Sequence, residues 1–272
     1  MRDLKDLGNK KILITGGASG IGKLMALKLA TSGAFICVVD INLEEALKVV
    51  DAIKASGGKA LAFYADLSSL ESIKKCKSEV SSQGHSVDIL INNAGVVFGG
   101  EFEKLSLDKH LLTYKINVDG IVAMTHLFFD DLKKSSEANI VNIASASGFI
   151  GLPYGTSYAS SKWAVVGFSE SLRLEMKERN FNNIHVTTVC PSYISTGMFT
   201  GVKAPLLLPW LKPEVIVMKI IEGMLANKAF VKEPFVVKWV DFLKGILPLG
   251  VFTFVNKLLG VSTSMTHWKG RS

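Results

Sequence analysis

Residues 15–22 read Thr15-Gly16-Gly17-Ala18-Ser19-Gly20-Ile21-Gly22 and connect the first apolar run of the chain to a helical pattern. Glycines let such a turn be tight and bring the backbone close to a pyrophosphate, while the following helix N-terminus offers unpaired N–H groups to the anion. The spacing is Gly-x3-Gly-x-Gly, not Gly-x-Gly-x-x-Gly, but a position between strand and helix is the context that the motif requires. The sequence therefore predicts a dinucleotide-binding loop in which the binding residues are Gly16, Ser19, Gly20, Ile21 and Gly22.

The rest of the chain alternates short apolar runs with longer helical patterns. Strands are predicted at 11–15, 35–40, 60–64, 87–91, 139–144 and 184–190, and helices at 21–32, 43–56, 69–82, 107–134 and 158–180. Short, continuously apolar strands are typical of a parallel sheet that is buried on both faces. Alternation of strand and helix indicates right-handed βαβ units. We therefore predict a single-domain α/β fold, a Rossmann-type doubly wound parallel sheet with helices on both faces.

Length and composition set the outer limits of the fold. The chain has 272 residues, 48% apolar and 20% charged, which excludes a disordered or collagen-like chain. No repeat or linker divides it, so residues 1–237 are predicted to form the dinucleotide-binding and catalytic part, and residues 238–272 an apolar, basic extension of the same domain. Cys37, Cys76 and Cys190 are too few and too scattered for a disulfide framework and are expected to be free thiols. The five histidines show no ligand spacing with cysteine, so no metal is expected.

Charge and hydropathy predict the location of the protein and the kinds of partner that it meets. The N-terminal residues are charged and run into an apolar strand, and the uncharged stretch 245–256 is too short to span a bilayer, so a cytoplasmic location is expected. Residues 203–272 carry +6 of the net charge of +7 and are rich in Trp, Phe, Leu and Val. Such a tail suits the surface of a membrane, and a solvated rim around a buried helix is the alternative. Nucleic acid is not expected as a partner, because the charge is not concentrated in one run or helix.

The choice of cofactor depends on the end of the second predicted strand. Asp40 lies there, 18 residues after Gly22, where a carboxylate accepts hydrogen bonds from adenosine ribose hydroxyls and repels a 2′-phosphate. The next two residues are not basic and no Arg or Lys replaces Gly17, so NAD is favoured as the cofactor over NADP. A helix N-cap is the alternative role of Asp40. At the end of the third strand, Asp66 and Leu67 are predicted to meet the adenine, although a capping Asp would look the same.

Candidate catalytic residues surround the start of the last long helical pattern. Tyr158 and Lys162 are four residues apart, which puts both on one helix face, and a nearby ammonium is expected to lower the pKa of the phenol. Ser145 lies 13 residues before Tyr158, at the end of a predicted strand, where its hydroxyl can donate to a substrate carbonyl. Ser147 is near enough to compete for that role, but is expected to structure the loop. Asn117 is a polar residue in an apolar stretch, and a buried amide that satisfies a backbone group is its alternative role.

Taken together, these motifs resemble the short-chain dehydrogenase/reductase family over nearly all of residues 10–235. The glycine loop resembles the cofactor loop of the family, and Asn92-Asn93-Ala94-Gly95 resembles its fourth-strand motif. The residues that match its catalytic tetrad in order and spacing are Asn117, Ser145, Tyr158 and Lys162. Pro191-Ser192 stands where the family usually has Pro-Gly, and Thr196 stands where a family threonine contacts the nicotinamide carboxamide. The resemblance thus adds to the predicted cofactor-binding residues Asn93, Ala94, Gly95, Tyr158, Lys162, Pro191 and Thr196.

The resemblance implies an enzyme that interconverts an alcohol and a ketone or aldehyde by direct hydride transfer with a nicotinamide cofactor. Tyr158 would be the general acid or base, Ser145 would orient the reacting oxygen, and Lys162 would hold the nicotinamide ribose and lower the Tyr158 pKa. Asn117 would position a water that relays the proton. Homodimers or homotetramers built on the helices of Asn117 and Tyr158 are also implied. The intact tetrad disfavours a non-catalytic redox sensor or scaffold, and the lack of a sugar-nucleotide domain disfavours an epimerase or dehydratase.

The segment after the sixth strand predicts the substrate class. Residues 192–212 form the expected substrate loop, and its apolar side chains are Tyr193, Ile194, Met198, Phe199, Val202, Leu206, Leu207, Leu208 and Trp210. Burial of apolar surface contributes ~25 cal/mol per Å², so this lid predicts a lipid-like substrate, namely a retinoid, a steroid or a long-chain molecule. The alternative is that these side chains close on the core or on a partner subunit. The tail loosely resembles the retinol and 17β-hydroxysteroid dehydrogenase branch of the family.

A second apolar stretch, 234–259, contains three lysines and is expected to break into two short helices at Pro248 and Gly250. Three roles are open for it: an interfacial anchor that meets a membrane, a cover over the substrate cleft, and a contact between subunits.

Overall fold

The computed structural model describes residues 4–206 and 208–270, so Leu207 of the predicted lid and the two chain ends lie outside the described residues. Within these ranges one sheet contains the strands β1 (Lys11–Thr15), β2 (Phe35–Asp40), β3 (Lys59–Tyr64), β4 (Ile89–Asn92), β5 (Ala138–Ile143), β6 (Ile184–Pro191) and β7 (Phe230–Glu233). All neighbours are parallel, in the order β3-β2-β1-β4-β5-β6-β7. The strand order reverses between β1 and β4, which confirms the predicted doubly wound sheet and creates a crevice at its carboxyl edge.

Helices cover both faces of this sheet. They are α1 (Gly20–Ala30), α2 (Leu43–Ala55), α3 (Leu70–Ser82), α4 (Leu107–Tyr114), α5 (Gly120–Lys134), α6 (Thr156–Glu178), α7 (Pro213–Leu225), α8 (Val240–Ile246) and α9 (Leu249–Leu258). Ile12 and Ile14 of β1 pack with α1, α2 and α7, whereas Leu13 between them packs with α3, α5 and α6. Side chains of a strand alternate between its two faces, so a continuously apolar strand serves two cores at once.

The predicted elements differ from the observed ones in three places. The structure contains β7 and α7, which have no counterpart among the predicted strands and helices. The predicted helix 107–134 is divided by a π-helical segment, Lys115–Asp119, in which the Gly120 N–H donates to Lys115 O. The last long helix begins at Thr156 and not at residue 158, so Tyr158 lies inside its first turn.

After β7 the chain forms short helices and returns to the substrate loop. The predicted break is confirmed at Pro248, because α8 ends just before it and α9 begins directly after it. Gly250 does not break the chain as predicted, since it lies inside the first turn of α9. Phe252 of α9 and Val261 pack against Ile150 and attach this region to the rest of the fold. In residues 4–206 and 208–270 there is no helix with the length and apolar character needed to cross a membrane.

Candidate active site

The glycine loop is held against β4 by close backbone packing. Gly16 has a φ of +63°, and a β-carbon at this position would lie 2.8 Å from the Ala94 Cα. Gly22 packs more tightly still, because its β-carbon would lie 2.1 Å from the Gly16 carbonyl oxygen. The Asn93 Nδ2 atom donates to the carbonyl oxygens of Thr15 (2.9 Å) and Gly16 (3.0 Å). Glycine is therefore required at both positions by space, and at Gly16 by the left-handed backbone as well.

Thr15 is a site residue that the motif contained but the sequence analysis did not select. Its hydroxyl oxygen accepts hydrogen bonds from the backbone N–H groups of Asn93 (3.0 Å) and Ala94 (3.1 Å). The loop after β4 is thus fixed to the end of β1, where the strand order reverses. The sequence signal for this role was a polar residue at the last position of an otherwise apolar strand.

A cavity of about 280 Å³ opens at the carboxyl edge of the sheet. Fifteen of the predicted site residues line it: Gly16, Ser19, Gly20, Ile21, Asp40, Asp66, Leu67, Asn93, Ala94, Gly95, Ser145, Tyr158, Lys162, Pro191 and Thr196. Gly22 and Asn117 do not, since both lie behind its wall. Lining residues outside the predicted catalytic and cofactor-binding sets are Thr15, Val39, Ile41, Ala65, Val96, Ile116, Ile143, Ala144, Ser192, Ile194, Met198 and Phe199. Ile194, Met198 and Phe199 belong to the predicted substrate loop, and most of the others directly adjoin a predicted residue.

These residues fit a nicotinamide dinucleotide. The cradle between the glycine loop and β4 exists only without β-carbons, and the helix N-terminus of α1 adjoins the cavity through Gly20 and Ile21. Unpaired N–H groups and the helix dipole favour a pyrophosphate there. In the described parts of the chain, no group of three or more His, Cys, Asp or Glu side chains is arranged to hold a metal ion.

Asp40 closes β2 and faces both the cavity and the loop. Its Oδ2 atom accepts from the Ala18 N–H (3.0 Å) and its Oδ1 atom accepts from the Asn42 N–H (3.0 Å). The N-cap of α2 is Asn42, whose side chain accepts from the Glu45 N–H at 3.1 Å. The alternative role of Asp40 as a helix cap is therefore wrong.

Asp66 occupies a comparable position after β3. Its Oδ1 atom accepts from the N–H (2.8 Å) and the hydroxyl (2.7 Å) of Ser68. Ser69 is the N-cap of α3, with its hydroxyl oxygen accepting from the Ser72 N–H. The carboxylate thus orders the turn that carries Leu67 on the cavity wall and does not cap the helix.

Ser145, Tyr158 and Lys162 meet at the inner end of the cavity. Tyr158 is buried and forms a hydrogen bond with the Ser145 side chain, which also accepts from the Ser147 N–H at 3.2 Å. The Lys162 Nζ atom donates to the Ile143 carbonyl oxygen at 2.8 Å and lies 5.7 Å from the centroid of the Tyr158 ring. The structure therefore brings together the hydroxyl, the phenol and the ammonium that the sequence placed on separate elements.

Burial determines the protonation of both ionisable groups. It raises the pKa of Tyr158 to about 12, against a smaller opposing effect of the Ser145 hydrogen bond, and it lowers the pKa of Lys162 to about 8. Transfer out of water disfavours the charged form, which is the phenolate for one group and the ammonium for the other. The expectation that Lys162 lowers the Tyr158 pKa is wrong in this structure, because desolvation outweighs any effect of the ammonium.

Asn117 lies in the π-helical segment and is fully buried. Its Nδ2 atom donates to the Val96 carbonyl oxygen (2.9 Å) and the Ser161 hydroxyl (3.0 Å), while its Oδ1 atom accepts from the Val96 N–H (2.8 Å). The contacts are those of the buried amide that satisfies a backbone group. A β-carbon at Gly95 would lie 3.2 Å from Asn117 Oδ1 and 3.5 Å from Lys162 Nζ, so the two side chains meet across this glycine.

A second cavity of about 30 Å³, here named the apolar chamber, borders Ser145 and Tyr158. It is lined by Ser145, Ala146, Ser147, Ile150, Leu152, Tyr158, Ser192, Tyr193, Phe199, Pro205, Leu208 and Val261. The Phe199 ring packs edge-on against the rings of Tyr158 (5.9 Å) and Tyr193 (5.2 Å). The predicted substrate loop therefore supplies an apolar wall directly beside Ser145 and Tyr158.

The C-terminal tail covers this loop. The Trp268 Nε1 atom donates to Met198 O (3.1 Å), and the Tyr193 hydroxyl donates to the Ser264 hydroxyl (2.8 Å). Backbone hydrogen bonds join Lys203 N to Ser264 O, Leu206 N to Leu259 O and Lys269 N to Thr200 O. Residues 259–270 therefore cover the predicted substrate loop, while the three roles proposed for the stretch 234–259 stay predictions.

Comparisons with known proteins agree with this geometry. The family model described as short chain dehydrogenase matches residues 10–206. Epidermal retinol dehydrogenase 2 of Mus musculus is 34% identical over 260 residues, covering 94% of this chain and 84% of the relative. Estradiol 17-beta-dehydrogenase 11 of Homo sapiens is 30% identical over 257 residues, covering 94% of this chain and 85% of the relative.

Two solved structures share the fold. A short chain dehydrogenase/reductase from Burkholderia phymatum in complex with NAD matches with a TM-score of 0.78 and 22% identity, over 88% of this chain and 94% of the other. An NAD(P) dependent gluconate 5-dehydrogenase from Beutenbergia cavernae with bound NADP matches with a TM-score of 0.72 and 25% identity, over 85% and 97%. One neighbour carries NAD and the other NADP, so the fold is compatible with either cofactor.

Proposed function

The chain belongs to the short-chain dehydrogenase family, and on that premise we propose that it interconverts an alcohol and a ketone or aldehyde on an apolar, lipid-like substrate with NAD(H). It is an oxidoreductase that acts on CH–OH groups, like the dehydrogenases to which it is similar. The observation that carries the proposal is the apolar chamber, which borders Ser145 and Tyr158 and is otherwise walled mainly by hydrocarbon.

NAD(H) is favoured by the charges around the cavity. The carboxylate of Asp40 lines the wall after β2, where it would bind ribose hydroxyls and repel a 2′-phosphate. Among the described residues that line the cavity, Lys162 alone is basic, and it lies at the inner end with the catalytic group. None of the described lining residues next to Asp40 is thus a cation that would neutralise a 2′-phosphate.

Different groups of the predicted site residues would bind different parts of the dinucleotide. The loop residues Gly16, Ser19, Gly20 and Ile21 would hold the pyrophosphate, and Gly22 would keep the loop close to β4. Asp66 and Leu67 would meet the adenine, while the nicotinamide half would be bound by Asn93, Ala94, Gly95, Pro191 and Thr196. When bound, the nicotinamide supplies or accepts the hydride.

The chain's own side chains would manage the proton. With a pKa of about 12, Tyr158 carries its proton at neutral pH and is ready to donate it to a carbonyl oxygen as hydride arrives; in the reverse direction it accepts the proton of the alcohol. Ser145 would donate to the same oxygen and Lys162 would hold the nicotinamide ribose. Both N–H groups of the Asn117 amide are already donated, so a relay water would have to donate to Oδ1 or to a carbonyl of the π-helical segment.

The substrate class follows from the lid. Apolar surface buried under Tyr193, Phe199 and Leu208 contributes ~25 cal/mol per Å², and this favours a retinoid, a steroid or a long-chain alcohol or carbonyl. The names of the relatives, a retinol dehydrogenase and an estradiol dehydrogenase, support the same class.

A membrane is the proposed source of such a substrate. Phe242 and Ile246 of α8 and Phe254 and Leu258 of α9 are more than half exposed, and Lys257 lies beside them in the sequence. Apolar side chains with flanking lysines suit the interface of an anionic membrane. We propose a peripheral contact through this face.

The cytoplasmic location and the homodimer or homotetramer remain predictions. Of the apolar residues in the helices expected to pair, Met124 and Phe128 belong to the core of the chain itself, whereas Leu111 is half exposed and free to meet a second copy.

The proposal is tested by absorbance at the reduced-nicotinamide band, with NAD and NADP supplied separately. The panel contains retinol, hydroxysteroids, long-chain alcohols and short polar alcohols. We expect turnover with NAD and an apolar alcohol, and a shift in preference towards NADP for Asp40→Ala. Turnover of polar alcohols alone would contradict the assigned substrate class, and a wild-type preference for NADP would contradict the role of Asp40.

A further inference from the structure

One of the residues that line the apolar chamber carries a buried hydroxyl group that the mechanism does not use. Ser147 lies in the one-turn helix Ala146–Gly148, two residues after Ser145, and lines the chamber. Its side-chain oxygen is buried, and the described residues offer it no hydrogen-bond partner. A buried polar group without a partner destabilises the fold, so its presence calls for a reason.

Loop structure does not supply that reason. The turn is stabilised by backbone hydrogen bonds from Gly148 N–H to the Ser145 carbonyl oxygen (2.9 Å) and from Phe149 N–H to the Ala146 carbonyl oxygen (3.2 Å). The Ser147 N–H adds a bond to the Ser145 hydroxyl at 3.2 Å. The Ser147 hydroxyl takes no part in these bonds. Alanine at this position would keep the turn and remove the unpaired group, so the predicted loop-structuring role belongs to the backbone of Ser147 and not to its side chain.

The chamber as observed is small, and its two walls differ. A volume of about 30 Å³ is far below the ~300 Å³ of even a small ligand pocket, so the substrate must displace one wall. Ser147 belongs to the fixed wall: a β-carbon on the adjacent Gly148 would lie 2.8 Å from Val166 and 2.9 Å from the Lys162 carbonyl, which fixes the turn against α6. The opposite wall is the lid, with Phe199, Pro205 and Leu208. We expect displacement of the lid to enlarge the chamber beside Ser147 while the turn stays in place.

We propose that Ser147 is a specificity-determining residue that binds a second oxygen of the substrate. This inference rests on the proposed function and narrows its substrate class to an apolar molecule with a second hydroxyl or carbonyl group. A serine hydroxyl can donate and accept, so either group satisfies it. Because one short turn carries Ser145 and Ser147, the second oxygen lies only a few bonds from the reacting carbon.

The test compares decan-1-ol with decane-1,2-diol as substrates of the wild type and of Ser147→Ala, with NAD. We expect the variant to lose about five- to tenfold in kcat/KM for the diol and to keep or improve kcat/KM for the mono-alcohol, since one unmade hydrogen bond is removed from the site. Thr187→Val is the matched control, because the Thr187 hydroxyl is likewise buried without a partner in the described residues but borders neither cavity. This control should leave the ratio of the two substrates unchanged.

Several outcomes would overturn the inference. Equal effects of Ser147→Ala on both substrates, or a change of ratio in Thr187→Val as well, would show a structural role only. If the wild type turns over neither probe, protection of the NADH-loaded protein against heat by each probe replaces kcat/KM, and equal protection by the diol in wild type and Ser147→Ala overturns the inference. Failure of the whole alcohol panel, by contrast, overturns the proposed function whatever Ser147 does.

Discussion

Tyr158 and Lys162 lie one turn apart on α6, and burial acts on their protonation in opposite directions. The Tyr158 pKa rises to about 12 and the Lys162 pKa falls to about 8, so that both groups keep their protons at neutral pH. The phenol is therefore protonated and able to act as an acid, while the ammonium is a buried cation that donates a hydrogen bond to the Ile143 carbonyl. This arrangement suits protonation of a carbonyl oxygen and makes the buried charge expensive for the fold.

The buried ammonium leads to a prediction about stability. Lys162 has a pKa of about 8 in the folded chain and 10.5 as an ordinary lysine, so between these values the unfolded chain binds more protons. The free energy of unfolding contributed by this group therefore rises with pH in that window, by about 2 kcal/mol between pH 8 and pH 10. Below pH 8 the penalty is fully present. Urea denaturation of Lys162→Met should show a stability gain over wild type that shrinks as the pH rises; parallel curves would refute this assignment.

Replacement of Tyr158 by Phe tests the proton transfer itself. The variant keeps the ring that packs against Phe199 but loses the hydroxyl that bonds to Ser145. We expect kcat to fall by about 100-fold or more, because general acid–base catalysis contributes ~10²–10⁴-fold. NADH binding, followed by fluorescence titration, should remain nearly intact. A variant that retains most of its activity would show that another group carries the proton.

At the scale of elements, the glycine loop and the start of α1 pack so closely against the residues after β4 that no β-carbon fits at Gly16 or Gly22. Gly22→Ala would put a β-carbon 2.1 Å from the Gly16 carbonyl and 2.5 Å from Asn93 Nδ2, so the loop must move away from its anchor. We expect loss of NADH binding together with a lowered melting temperature. Gly167→Ala on α6 is the matched control: nothing lies within 4 Å of its β-carbon, and it should stabilise the chain by about 0.5–1 kcal/mol. Normal NADH affinity in Gly22→Ala would refute the tight packing.

The elements that could be predicted from the sequence are those whose sequence signals are local. Apolar runs gave the first six strands within two residues, because burial on both faces leaves strands continuously apolar. The spacing of Tyr158 and Lys162 gave their shared helix face. It did not give β7, whose four residues Phe230–Glu233 end in two charged side chains and resemble a loop. Nor did it predict the π-helical segment, in which Asn117 forms hydrogen bonds with Val96, 21 residues away.

The protonation of the site lay beyond the sequence for a related reason. A lysine next to a phenol in sequence suggests electrostatic lowering of the phenol pKa, but the sign of the shift depends on how much water both groups lose. Tyr158 and Lys162 are covered by the lid and by β5, elements that are distant in sequence. Desolvation is a property of the assembled site, so its dominant effect on the Tyr158 pKa could be found only from the structure.

At the scale of the molecule, the C-terminal region has two parts with different surfaces. Residues 259–270 bind the lid through backbone and side-chain hydrogen bonds, and Met265 and Trp268 pack with Tyr158, Phe199 and their neighbours. The helices α8 and α9 before them expose most of their apolar side chains. The tail thereby links an exposed apolar face to the segment that must move when substrate enters.

That link predicts binding to an anionic membrane through α8 and α9. The wild type should co-sediment with vesicles that contain phosphatidylserine and bind less at high salt, because the lysines act through charge. Phe242→Glu combined with Phe254→Glu should abolish binding, since their side chains are 56% and 66% exposed and would enter the interface. Leu70→Glu is the matched control, with a side chain 53% exposed on α3, a helix that packs on β3 and α5.

Activity measurements on the same variants distinguish a loss of membrane binding from a loss of folding. The double variant should turn over a dispersed alcohol like the wild type but lose the rate advantage when the alcohol is dissolved in vesicles, whereas Leu70→Glu should keep it. If the double variant still binds vesicles, another surface is the anchor. If wild type does not bind, the exposed side chains of α8 and α9 are left to a second subunit, and light scattering at rising concentration should then show an oligomer that the double variant does not form. The lid would in that case be opened from a protein interface and not from a lipid surface.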